Sequence, residues 1–215
     1  ATMGAVATKS IGSDKKCGTV TIGGAVYPDG ISTSPFTFIP LPNVTSSVTA
    51  VNGTMLSGTL ANNVKISIAD NATVTLRDVS INADGSWTSG DYAGITCLGN
   101  ATLILKGENI VKGFNASYSG IQPAKQEEYE GDKYTLTIQG SGSLNASSNG
   151  NGAGIGGRCD NIVINSGKIT ATGGNNAAGI GGDSRGSCYS ITINGGTVTA
   201  TGGENAAGIG SGKDG

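Results

Sequence analysis

Histidine is absent from the 215 residues. That removes the commonest general base and the commonest zinc ligand. Charge is sparse: Asp, Glu, Lys and Arg make up 13% of the chain, the net charge is −2, and no basic run occurs. Nothing here resembles a nucleic-acid footprint. No apolar stretch approaches the ~20 residues of a membrane helix, so no membrane span is expected. No segment of useful length carries a 3.6-residue apolar period either, so helices should be few. The four cysteines form no CxxC pair, which argues against a zinc or dithiol redox site. No secretory leader is visible. A chain that begins at Ala1 without Met fits a processed or trimmed product, so that absence does not decide secretion.

What the chain has in quantity is glycine, 38 residues of it. A collagen would place Gly at every third position, and a disordered chain would be richer in charge and Pro. Neither pattern holds, so the glycines serve tight backbone geometry that recurs. A landmark of small residue, Gly and Ile occurs at Ala93-Gly94-Ile95, Ser119-Gly120-Ile121, Ala153-Gly154-Ile155, Ala178-Gly179-Ile180 and Ala207-Gly208-Ile209, with Ile-to-Ile spacings of 26, 34, 25 and 29. Short alternating runs follow the first four: ATLIL (101–105), YTLTI (134–138), NIVI (161–164) and SITI (190–193). A second run comes after each of these, at 109–111, 143–146, 168–172 and 197–201. VKISI (64–68), ATVTL (72–76) and VSI (79–81) read as an earlier, less regular turn.

Period-2 alternation over a few residues, punctuated by Gly or Asn, marks short strands. Such strands bury a core only when coil stacks on coil. The expected fold is therefore all-β: a single right-handed parallel β-helix with three-faced coils of about 25–30 residues. Residues 1–55 are expected to hold an N-terminal strand and a Pro-rich cap or first coil. Residues 56–215 should hold the coils, with a charged insertion at 122–133. That insertion carries Glu127, Glu128 and Glu130 and reads as a solvated loop.

Stacking accounts for other columns. The residues four before each landmark Ile are Asp91, Ser117, Asn151, Asn176 and Asn205. The three Asn are expected to form an amide ladder, and Asn165 with Asn194 a second one. Cys159 and Cys188 occupy matching positions, as does Cys17 in its own motif. Buried small apolar residues or a disulfide between adjacent coils both remain open for them. Thr-x-Thr at 170–172 and 199–201 stacks in neighbouring coils. Such arrays can bind ice, but Thr is also simply favoured in exposed strands. The Asn-x-Ser/Thr sequons, such as those at Asn43 and Asn52, do not by themselves show glycosylation.

One column breaks the repeat. Tyr92 and Tyr118 lie three residues before their landmark Ile, where later coils carry Gly152, Ala177 and Ala206. Trp87 and Phe114 fall in the same corner region, with Asp84 and Asp91 close by. Aromatic rings that cover the C–H faces of a sugar, beside carboxylates that bond its hydroxyls, are a common way to hold a glycan. A stacked aromatic core column is the competing reading. No spacing singles out a catalytic carboxylate pair, and the acidic cluster and basic residue of a calcium-dependent lyase are not evident.

Several phrases, LSGTLANNVKISIADNATVTLRDVSI (56–81), AGITCLGNATLIL (93–105), GSGSLNASSNGNGAGIGG (140–157) and ITINGGTVTATGGENAAGIGSG (191–212), resemble the repeats of secreted bacterial β-helix proteins described as carbohydrate-binding domain-containing, with a pectate-lyase-like coil. The resemblance covers roughly residues 56–215. It implies an extracellular or bacterial cell-surface module that binds a polysaccharide or a host or bacterial glycan, with calcium as a possible ligand and no other cofactor. It transfers no site residue. The reading is a non-catalytic carbohydrate-binding or adhesive β-helix. The alternatives are a structural, filament-forming protein and, behind that, a polysaccharide lyase or hydrolase. Residues 10–24 resemble what should follow the last landmark. Head-to-tail self-association could use that match, but a sequence cut from a longer repeat array is the preferred account.

Overall fold

The structure is a computed structural model that describes residues 37–82, 90, 92–114, 117–125, 133–148 and 150–215, together with the backbone of 20–22 and 25–27. Among these residues the regular structure is strand, apart from one 3-10 turn at Leu41–Asn43. Val20–Ile22 and Ala25–Tyr27 form a short antiparallel pair; the strand pairs of the coils are all parallel.

The coils have three faces. The landmark face stacks Val48–Ala50, Ile66–Ile68, Ile95–Cys97, Ile121–Gln122, Ile155–Gly157, Ile180–Gly182 and Ile209–Gly210 in coil order. Each landmark Ile sits beside the next: Ile95 pairs with Ile121, Ile121 with Ile155, Ile155 with Ile180 and Ile180 with Ile209. The second face carries Ala101–Lys106, Thr135–Gly140, Cys159–Ile164 and Cys188–Ile193. The third carries Glu108–Lys112, Ser143–Ser147, Lys168–Thr172 and Thr197–Thr201. The long strand Ala72–Ile81 serves both. Its first part pairs with Ala101–Lys106, and Ser80 and Ile81 pair with Ile110 and Val111. It bends at Asp78, whose φ of 51° is the left-handed geometry that Asp tolerates at corners. The protein is thus a single parallel β-helix with the three-faced coil expected from the repeat.

Alternation decides what goes inside. In Ala101–Lys106 the residues Ala101, Leu103 and Leu105 are buried, while Thr102 and Ile104 face outward. The inward column Val74, Leu103, Ile138 and Ile164 is fully buried across four coils. Each such side chain contributes about 1.5–3 kcal/mol by leaving water. A lone coil could not supply that environment, so stability is shared between neighbours.

The landmark glycine is explained by close approach rather than by φ. A Cβ on Gly94 would lie 2.6 Å from Val111 Cγ1, and one on Gly154 would lie 2.7 Å from the Gly179 carbonyl oxygen and the Thr172 nitrogen. The corner backbone presses on its neighbours so tightly that only Gly fits.

Both amide ladders form. Asn176 Nδ2 donates to Asn151 Oδ1 at 3.5 Å, Asn205 Nδ2 to Asn176 Oδ1 at 3.3 Å, and Asn194 Nδ2 to Asn165 Oδ1 at 2.8 Å. Cys159 and Cys188, partners in the strand register, are joined by a disulfide with a Cα–Cα separation of 4.5 Å. Thr170 and Thr172 stand beside Thr199 and Thr201.

Coil pairing extends upstream of residue 56. Val48–Ala50 pairs with Ile66–Ile68, and Thr37–Pro40 pairs with residues 54–57. The strand Thr54–Thr59 therefore spans the boundary drawn at 55/56 from composition. The charged insertion leaves the landmark face after Gln122, and the coil resumes at Thr135. Glu127, Glu128 and Glu130 lie outside the described residues, as does Cys17.

Candidate functional site at the aromatic corner

Between the third face and the landmark face the chain turns at residues 82–94, 113–120, 148–153, 173–178 and 202–207. The later turns are closed by short-range backbone bonds, from Ala177 N–H to the Gly174 carbonyl at 3.0 Å and from Ala206 N–H to the Gly203 carbonyl at 3.2 Å. The earlier turns hold the aromatic residues.

Tyr92 and Phe114 come together, with ring centroids 4.9 Å apart and planes tilted by 60°. This tilted arrangement avoids the face-to-face sandwich that aromatic quadrupoles disfavour. The two rings differ in exposure. Phe114 is fully buried and belongs to the core cluster, so it offers no face to a ligand. Its apolar ring is held inside by the stacked coils, and it supports Tyr92 from behind. Tyr92 is half-buried, and its hydroxyl donates to Asn63 Oδ1 at 2.6 Å. Burial pushes its phenol above the usual range, so the hydroxyl stays protonated as a donor. Gly90, at a φ of 144°, lies against the tip of the Tyr92 ring and leaves no room for a side chain. Tyr118 is likewise half-buried one coil further on, and its carbonyl accepts a hydrogen bond from Ser148 Oγ at 2.9 Å. Trp87, Asp84 and Asp91 lie outside the described residues.

Asn63 was not singled out from the sequence. A signal for it exists: it precedes Tyr92 by 29 residues, one coil length, and contacts between stacked coils recur at that offset. Carboxylates also reach a neighbouring coil, at offsets of 30, 30 and 26 residues. Asp70 accepts from the Asn100 N–H at 2.8 Å, Asp78 from the Glu108 N–H at 3.1 Å, and the buried Asp160 from the Tyr134 N–H at 3.0 Å while facing Lys133 Nζ at 4.0 Å. These carboxylates satisfy corner backbone of a neighbouring coil. Among the described residues no group of three or more acidic or Cys side chains is placed to hold a metal ion, so no step is assigned to calcium. No helix of the described residues is long and apolar enough to cross a membrane.

The chain is similar to the β-helix repeat family over residues 136–157, 162–185 and 191–213, each match spanning about one coil. That similarity supports the right-handed sense of the coils, and the sheet topology by itself shows the fold, a parallel β-helix built of stacked repeats. No curated protein and no solved structure matches the chain.

Proposed function

We propose that the protein is a non-catalytic, extracellular glycan-binding or adhesive β-helix module whose ligand meets the corner at Tyr92 and Tyr118. The observation that carries this reading is the placement of two half-buried tyrosines in successive coils at a corner where all later coils have Gly or Ala. Tyr92 is held by Phe114 and Asn63, so its ring is fixed before a ligand arrives, which lowers the entropic cost of binding. Such rings cover apolar sugar faces, and the neighbouring amides bond hydroxyls. The disulfide between coils supports an oxidising, extracellular setting.

A glycan array read with and without calcium tests the proposal. Binding of a defined glycan class by the intact chain, weakened at least tenfold by Tyr118→Ala, is the expected result. Absence of binding to any glycan, with filaments seen by electron microscopy, would replace it with the structural reading. Release of unsaturated or reducing sugar ends would replace it with an enzymatic one.

A further inference from the structure

A second concavity lies away from the aromatic corner, where the chain enters the second face. Asn71, Asn100, Thr102, Thr135 and Thr137 line it over a floor of Ala72 and Ala101, and its volume is about 230 Å³. Strand pairing arranges the lining into rows along the solenoid. Thr73, Thr102 and Thr137 form one row, and Asn71, Asn100 and Thr135 form another just ahead of it. Coil spacing within such rows is about 4.8 Å.

The lining is neutral and bonds in both directions. Asn100 Nδ2 donates to Asn71 Oδ1 at 3.4 Å, and Asn100 Oδ1 accepts from the Thr135 N–H at 2.9 Å. Each amide keeps one N–H and one lone pair beyond these bonds. The hydroxyls of Thr102 and Thr137 have no partner among the described residues. No Lys or Arg lines the groove, so nothing in it compensates an anion. Asp70, beside the Asn row, accepts from the Asn100 N–H at 2.8 Å and from Asn71 Nδ2 at 2.9 Å, and no carboxylate lines the groove. On the upstream corner Leu98 is 50% exposed and Val51, two coils earlier, is 51% exposed. Apolar corners beside hydroxyl and amide rows match the two kinds of surface that a sugar presents.

We infer that this groove is a second glycan subsite, which takes uncharged sugar residues of a chain laid along the solenoid axis. The inference rests on the glycan-binding reading above and adds to it the substrate class, a neutral polysaccharide, and a separate surface. The coil rows place successive donors and acceptors along one line, as an extended polymer requires and a single monosaccharide does not.

The test is calorimetric titration of the intact chain with neutral xylan, β-glucan and mannan oligosaccharides of two lengths, short and long, and with polygalacturonate as the acidic counterpart. The variant is Thr102→Val with Thr137→Val. Both side chains face outward, and the substitution keeps their β-branched shape, so the coils should persist. Either single variant serves if the double variant melts early. Wild type should bind long neutral chains more tightly than short ones, and the double variant should lose about tenfold or more on the long chains. Equal affinity of wild type and variant at every length would overturn the groove while leaving the corner reading intact. Preference for polygalacturonate would overturn the neutral-ligand assignment. No binding of any member of the panel by wild type would sink the glycan reading itself, and this inference with it.

Discussion

Reducing the Cys159–Cys188 bridge should loosen one end of the solenoid and leave the other unchanged. The bridge closes a loop with a sequence separation of 29 residues. Chain-entropy accounting assigns such a loop about 3.6 kcal/mol of stabilisation, by restricting the unfolded chain. The effect is local because each coil contacts only its neighbours. The strands that the bridge ties together, Cys159–Ile164 and Cys188–Ile193, belong to the last coils described. In the later strand the inward positions are poorly covered: Ile193 is 41% exposed, against 0% for Ile164 beside it. The bridge therefore acts where hydrophobic burial is weakest. Hydrogen exchange read by mass spectrometry, with and without a phosphine reductant, is the assay. Peptides covering 188–201 should lose protection by up to about 400-fold, the figure that corresponds to 3.6 kcal/mol. Peptides covering 95–112 should not change. Cys159→Ala with Cys188→Ala should reproduce the reduced pattern without reductant. If intact mass shows free thiols and exchange over 188–201 stays the same, the staple contributes nothing to that coil and the reasoning fails.

Three further outcomes follow from the core. Thr54 Oγ1 is buried without a hydrogen-bond partner, so Thr54→Val should raise stability by about 1 kcal/mol, measured by chemical denaturation; a loss would mean the hydroxyl has a use. Gly154→Ala should cost on the order of 3 kcal/mol, because the new methyl meets backbone at 2.7 Å on two sides; wild-type stability in the same assay would refute the close-approach account of the landmark. Cys97 is fully buried and its thiol is pushed up to about 12 by desolvation, above the ordinary value near 8.5. The folded state thus holds its proton longer than the unfolded state. The stability this contributes is complete below about pH 8.5 and is lost as pH rises towards 12. Cys97→Ala should flatten that alkaline decline, and native protein at pH 8 should resist iodoacetamide at this residue.

The legible part of the fold was whatever repeats. The landmark Ile, the alternating strands and the Asn at 151, 176 and 205 recur at one coil length, and recurrence in a solenoid means contact. Three things were not legible for a physical reason. Whether Cys159 and Cys188 bond depends on their separation in space, which a matching position suggests but does not supply. Which way a corner ring points depends on the local path of an irregular turn: Phe114 and Tyr118 belong to the same corner, yet one is enclosed and the other half-buried. The carboxylate contacts of Asp70, Asp78 and Asp160 were missed because each partner lies a coil away in a segment whose register was not exact, with offsets of 30, 30 and 26 residues.

The same geometry explains why an aromatic site belongs to the early coils alone. In the coil after Tyr118 the equivalent position is Gly152, and a Cβ there would run into the Tyr118 backbone. One coil later Ala177 is fully buried. At Gly152 and Ala177 the turn lies flat on its neighbour, so no ring can be accommodated there without lifting the corner off the stack. Regularity there is obtained by shrinking the side chains, which removes the groups that could recognise a ligand. In the first two coils the column carries the half-buried rings of Tyr92 and Tyr118 instead. Grafting Tyr at Ala177 should therefore destabilise the solenoid instead of extending the site, by at least the 1–3 kcal/mol typical of an overpacked core. A stable Ala177→Tyr variant with added glycan affinity would show that the column is limited by selection for sequence and not by space.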